Sequence, residues 1–196
     1  LMLLVSGGHT QTLLVEGGVA WGTGFLDPQG IAGNHVIAML ATAQDDRLGL
    51  SFDVGPFDFL NFRMDISPID LDRWGGPFNN AGIAPNFAFT LFDNPSGAVG
   101  IGGGTVLDSC EVTGDAPDNQ WTFNWTEALC GLDASASTNG NVTLQIDLLA
   151  GGYAAMDNFR IAAADIEGEL PVTTPEPGTV ALLGMGLLGL ALRRRG

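Results

Sequence analysis

Residues 47–66, RLGLSFDVGPFDFLNFRMDI, alternate apolar and polar side chains with a period of two, the signature of half-buried strands. Leu48, Leu50, Phe52 and Val54 share one face, with Arg47, Ser51 and Asp53 opposite. Phe57-Asp58-Phe59 continues the pattern, but Leu60, Phe62, Met64 and Ile66 take the other parity. A slip of one residue carries every side chain to the opposite face, so a bulge or register break is expected near Phe59–Leu60.

The same period recurs on both sides of this stretch. Upstream, residues 1–16 read as a hairpin, with strands at 1–5 and 11–16 and a turn over Ser6–His9. Residues 36–41, VIAMLA, are apolar throughout and suit a strand buried on both faces or a short helix. Downstream, residues 67–86 are loop-like, with Pro68, Trp74-Gly75-Gly76-Pro77, Asn79-Asn80 and Pro85. Phe87, Phe89 and Leu91 mark a strand closed by the turn Asp93-Asn94-Pro95-Ser96-Gly97. Further strands are expected over 106–112, over the alternation of Trp121, Phe123 and Trp125, over 142–148, and over 153–161. No amphipathic helix of any length is visible. About nine short strands separated by Gly, Asn and Pro turns indicate an all-β fold, an antiparallel sandwich of jelly-roll type.

Composition narrows the function classes. The chain of 196 residues has room for one domain with a proper core. It carries 22 acidic residues, seven arginines and no lysine, for a formal net charge of −15. Three arginines stand at 193–195, so the body before Leu170 holds four arginines against 21 acids, a net −17. Such a body repels phosphate backbones and anionic membrane surfaces, which argues against nucleic-acid binding. Cys110 and Cys130 are an even pair, expected to form a disulfide in an oxidising compartment.

The last residues have a different character. Pro175-Glu176-Pro177 separates the body from an uncharged apolar run at 178–192, which Arg193, Arg194 and Arg195 close. Proline cannot continue a helix, a Leu-, Ala- and Gly-rich run suits a helix in lipid, and the arginines resist translocation. The run of 15 residues is short for a span that needs about 20, which fits a processed signal better than a permanent anchor. This order of parts resembles the PEP-CTERM sorting signal of exported proteins of Gram-negative bacteria. The resemblance implies export, processing by the membrane protease-transpeptidase exosortase, a transient stay in the inner membrane, and arrival at the cell surface or outside the cell. Similar tails are also labelled the C-terminal region of ice-binding proteins, but no repeated Thr array is visible here. The expected organisation is a sandwich ectodomain at 1–165, a linker at 166–174 and the signal at 175–196, with its transmembrane helix at 178–192. Residues 1–5 are too short for a secretory leader, so the natural start is expected upstream of Leu1.

A second, local resemblance lies at the other end. LMLLVSGGHTQTLLVEG, residues 1–17, resembles the SGGHTQ segment of the catalytic subunit that makes threonylcarbamoyladenosine in tRNA. The resemblance implies an ATPase-like fold and puts Ser6, Gly7, Gly8, His9 and Thr10 in a turn near nucleotide phosphates. It stops at about Gly17. The upstream pair of metal-binding histidines is lacking, and His35 stands in no ligand spacing with His9. The segment therefore reads as a hairpin.

Chemistry-bearing constellations are sparse. No Ser/His/Asp set, His cluster or phosphate loop tied to a helix is recognisable. Asp65, Asp70 and Asp72, in DISPIDLD, are the candidate ligands for Ca²⁺, a hard cation that takes oxygen at short spacing. Trp74, Trp121 and Trp125 are candidates for stacking on a sugar, set against the commoner role of core aromatics. Two function classes remain: a non-catalytic exported surface or matrix protein whose sandwich binds extracellular polysaccharide, and an enzyme, either a secreted glycan hydrolase or the tRNA-modifying type.

Overall fold

A computed structural model describes residues 2–6, 11–16, 19–20, 25–32, 35–39, 47–69, 83–97, 101, 103–116 and 122–170. These form twelve strands: β1 (Met2–Ser6), β2 (Gln11–Glu16), β3 (Val19–Ala20), β4 (Phe25–Leu26), β5 (His35–Met39), β6 (Arg47–Asp53), β7 (Phe59–Ile69), β8 (Asn86–Asp93), β9 (Thr105–Thr113), β10 (Thr126–Asp133), β11 (Asn141–Ala150) and β12 (Tyr153–Ala164). They make two antiparallel sheets, one ordered β1-β6-β11-β8-β9 and the other β10-β7-β12-β5-β2-β3-β4. Among the described residues no helix is long and apolar enough to cross a membrane.

The inward faces of the two sheets meet in one core. The five-stranded sheet contributes Leu48, Leu50, Phe87, Phe89, Leu91, Val142, Leu144, Ile146 and Leu148; the other contributes Leu60, Phe62, Met64, Ile66, Leu132 and Met156. Phe62 and Phe89 meet across the interface at a ring-centroid distance of 4.6 Å and a tilt of 49°. Buried aromatic pairs of this kind add about 0.5–1.5 kcal/mol beyond their area.

The parity break in residues 47–66 is the crossing between sheets, not a bulge at Phe59–Leu60. β6 lies in one sheet and β7 in the other, so each keeps its own inward parity. The corner is the turn after β6, where Gly55 has φ 59° and Val54 N–H donates to Gly140 O at 2.8 Å. A real bulge occurs in β12, where the register shifts between Asp157 and Arg160. Asn158 sits there at φ 54°; Met156 packs inward before the bulge, and Phe159, Ile161 and Ala163 after it.

Three further expectations are corrected. β1 pairs with β6 and β2 with β5, so residues 1–16 are not a hairpin: their two strands belong to opposite sheets. The alternation around Trp121 is not a ladder strand. Its described part forms the isolated bridge Leu26–Thr122, with Phe123 N–H donating to Leu26 O at 2.9 Å and Asn124 N–H to the Ser67 hydroxyl of β7 at 2.8 Å. The strand follows it, as β10, whose Ala128, Cys130 and Leu132 face the core while Glu127 and Leu129 stay outside. Finally, β7 extends through Ser67 and Pro68 to Ile69. Pro68 pairs with Ala154 of β12, whereas β10 reaches only as far as Ile66, so the missing N–H costs no ladder bond on the other side. The apolar run after Asn34 is a strand, β5, flanked by β2 and β12.

Candidate functional site

Several connections gather at one pole of the sandwich. The 54–58 turn, the turn after β8 and the 134–140 loop are clasped there by backbone bonds: Ala134 N–H to Asp58 O at 2.7 Å, Val54 N–H to Gly140 O, and Asn94 N–H to Asn141 O at 2.9 Å. The approach is close enough that Gly140, at φ 83°, has no room for a side chain: a Cβ there would fall 2.9 Å from Gly55 O.

Between these turns lies a cleft of about 290 Å³ lined by Ser51, Phe52, Asp53, Asn94, Gly97, Asn141 and Val142. β6 and β11 supply its floor through the pairs Asn141–Asp53 and Thr143–Ser51. Beneath it Thr143 is fully buried. Its hydroxyl oxygen accepts from Asn94 Nδ2 at 2.9 Å and lies 3.3 Å from Ser51 Oγ. On one wall Asp53 Oδ1 accepts from Gly55 N–H at 2.9 Å. The neighbouring Asn139 ties the two turns together: its Nδ2 donates to Pro95 O at 2.9 Å and its Oδ1 accepts from Asn141 N–H at 3.2 Å. Asx side chains bonding nearby backbone in this way fix turns without strands.

Next to the cleft, Asp93 is saturated. It accepts from Thr138 Oγ1 at 2.5 Å, Thr138 N–H at 3.1 Å and Ser137 Oγ at 3.0 Å. The Thr138 hydroxyl, then the Thr138 amide and the Ser137 hydroxyl, hold its carboxyl below the ordinary 3.8, against the opposing effect of burial. Asp93 is thus an ionised brace for the 134–140 loop. The cleft offers hydroxyl, amide and carboxylate groups beside a half-buried phenyl ring. That mixture suits hydrogen bonding to a hydroxyl-rich ligand.

Of the residues singled out in the sequence, Cys110 and Cys130 are joined in a disulfide with Cα atoms 6.6 Å apart. Asp65 is buried and accepts from Asn158 Nδ2 at 2.8 Å; the same amide donates to Ile31 O at 2.9 Å. Asp70 and Asp72 lie outside the described residues, and among these no three His, Cys, Asp or Glu groups could hold a metal ion. Trp125 is a core residue rather than a stacking platform: only 4 % is exposed, its Nε1 donates to the buried Asp27 at 3.2 Å, and its ring lies 5.0 Å from Phe123. Asp27 also accepts from Gly30 and Ala32 N–H, so this pair pins the 27–32 segment to the 122–125 segment. Trp74, Trp121, Gly7 to Thr10, Pro175, Glu176, Pro177, Arg193, Arg194 and Arg195 lie outside the described residues. The cleft residues were not singled out by sequence reading. The signal available was the pair of Asx-rich turns, DNPSG at 93–97 and STNGN at 137–141.

Residues 173–195 match the model of the PEP-CTERM protein-sorting motif. No curated protein matches the chain. Among solved structures, the chain is similar to the CBM22-1 xylan-binding domain of Paenibacillus barcinonensis Xyn10C, with 11% identity, a TM-score of 0.45 and coverage of 84% of this chain and 86% of that one. It is similar to TmCBM61 in complex with β-1,4-galactotriose, with 11% identity, a TM-score of 0.44 and coverage of 82% and 88%. It is also similar to the CBM22-1-GH10 modules of Clostridium thermocellum Xyn10B, with 12% identity and a TM-score of 0.48, covering 88% of this chain and 27% of that one.

Proposed function

We propose, from a chain that closes on a PEP-CTERM sorting motif, that this is an exported bacterial protein delivered to the cell surface or matrix, with a non-catalytic, glycan-binding body. The motif at 173–195 is the observation that carries the reading. In this reading exosortase is the processing partner, acting near Pro175-Glu176-Pro177 while the 178–192 segment is held as a helix in the inner membrane of a Gram-negative cell and Arg193–Arg195 remain inside. The body is a sandwich of jelly-roll type, supported by strands β5 to β8 alternating between the two sheets. The polar cleft is the proposed glycan site.

The test is processing in the native host. Replacing Pro175, Glu176 and Pro177 together by alanine leaves the body folded, because the described strands end at Ala164, and blocks cleavage of the tail. Cell fractionation with mass spectrometry of the C-terminus reads the result. Unchanged cleavage and localisation in the triple variant overturn the assignment.

A further inference from the structure

The pole that carries the cleft is also the pole from which the chain leaves the body. β12 ends at Ala164, paired with Phe59 at the start of β7, and Phe59 is paired on its other side with Asp133 at the end of β10. The next residues double back onto this pole instead of extending away. Asn61, fully buried, donates through Nδ2 to Ile166 O at 2.8 Å and Glu169 O at 3.1 Å, and its Oδ1 accepts from Gly168 N–H at 2.8 Å. Gly131 beside it leaves room for this turn, since a Cβ there would stand 2.5 Å from Glu167 Cγ. The chain is therefore clamped to the body as far as Glu169.

We infer that in the membrane-held precursor the cleft pole is the membrane-proximal end of the sandwich. The inference rests on the reading of the C-terminal segment as a membrane-held tail. From Glu169, the last clamped residue, to Gly178, where the apolar run begins, there are nine residue steps, which fully extended reach about 32 Å at most. From Asn61, where the clamp sits, β7 runs eight further residue steps to Ile69, about 27 Å of strand, and the 151–152 turn that leads into Tyr153, the partner of Ile69, lies beyond that end. With the cleft pole outermost, the tether would have to descend the length of the sandwich and then cross a headgroup layer of about 5–7 Å. It is too short to do so. The Asn61 clamp is what makes the length decisive, because peeling the 165–169 turn from the body would lengthen the tether by about 17 Å and remove the constraint.

The experiment uses the full chain reconstituted in phosphatidylcholine vesicles. A donor fluorophore is placed either at Ala136→Cys, on the exposed 134–140 loop of the cleft pole, or at Ala116→Cys, exposed at the opposite pole, with the native disulfide kept oxidised. Ser135→Cys serves as a second reporter on the cleft pole, and the melting temperature of each variant is checked against the parent. Energy transfer to an acceptor-labelled lipid headgroup is expected to be several-fold stronger from Ala136→Cys and Ser135→Cys than from Ala116→Cys. Equal or reversed transfer in protein that floats with the vesicles overturns the inference alone. A folded chain that does not float with vesicles at all overturns the membrane-held reading, and the inference with it.

Discussion

Cys110 and Cys130 tie together an edge strand from each sheet: Cys110 belongs to β9, which ends the five-stranded sheet, and Cys130 to β10, which ends the seven-stranded one. A second tie lies nearby, where Asp133 N–H of β10 donates to Asp108 Oδ2 of β9 at 2.8 Å. Edge strands carry unpaired backbone groups and splay easily. The disulfide closes this side of the sandwich covalently, across a sequence separation of 20.

Reduction should therefore lower the melting temperature without abolishing the fold. Restricting the unfolded chain by a loop of that length contributes about 3 kcal/mol on the chain-entropy estimate. The core of both sheets does not depend on the bond. Thiol labelling of the denatured, unreduced protein should find no free cysteine; two labelled cysteines would show that the bridge is not formed. Thermal melts with and without reductant give the size of the effect.

The clamp at Asn61 yields a second expectation. Asn61→Ala strands two carbonyls and one N–H of the 166–169 turn, at a cost of about 1–3 kcal/mol. Gly131→Ala drives a methyl group toward Asn61 Oδ1 at 2.7 Å and Gly168 N at 3.0 Å, for a similar penalty of about 1–3 kcal/mol. Both variants loosen the same turn, so their effects in combination should fall short of the sum. Limited proteolysis should cut both variants within 165–170 faster than the parent; equal cutting rates would show that the turn is not held there.

Acid should weaken the braced pole. The carboxyls of Asp93 and Asp133 are both held below the ordinary 3.8, Asp93 foremost by the Thr138 hydroxyl and Asp133 by Ser135. A carboxyl depressed in the folded state contributes stability that is fully present above the unfolded value and is lost as pH falls through the folded one. The melting temperature should hold through mild acid and decline below pH 3.8. Thr138→Val removes the hydroxyl that does most to hold the Asp93 carboxyl down, so it should be less stable than the parent at neutral pH and lose less on acidification. Parallel melting curves for the two proteins across that range would contradict the brace.

How far the fold could be read from sequence depended on which force set each element. Wherever apolar residues alternated on a strand with a buried face, as at Leu48–Leu50, Phe87–Leu91 and Val142–Leu148, pattern alone located the strand, because burial dictates the period. Partner choice was not legible: Met2–Ser6 and Gln11–Glu16 were recognisable as strands, yet nothing local shows that they enter opposite sheets. β10 was hidden because its inward positions hold Ala128 and Cys130 beside Leu132, small residues that give a weak pattern. Trp121, Phe123 and Trp125 misled for the converse reason: Trp125 is buried through a loop contact with Asp27, not on a strand. The cleft was the least visible feature. Its walls come from residues 51–53, from Asn94 and Gly97, and from Asn141 and Val142, and only the fold brings them together.

The final prediction concerns binding at that cleft. Asn141 has its backbone fixed in β11 opposite Asp53, and it lines the cleft. Asn141→Ala therefore removes an amide from the wall while keeping the ladder, and as a half-buried substitution it should cost no more than about 1 kcal/mol of stability. If the cleft binds a glycan, this change should weaken binding by about 10-fold, the equivalent of one hydrogen bond of about 1.4 kcal/mol. The carboxylate of Asp53 and the strongly acidic body should favour neutral over uronic-acid sugars, because like charges oppose approach. A glycan array probed with the full chain, followed by titration of the parent and Asn141→Ala with any binder, reads both expectations. Binding unaffected by Asn141→Ala, with the melting temperature unchanged, would move the glycan site away from this cleft. Preference for uronic acids over neutral sugars would contradict the charge argument.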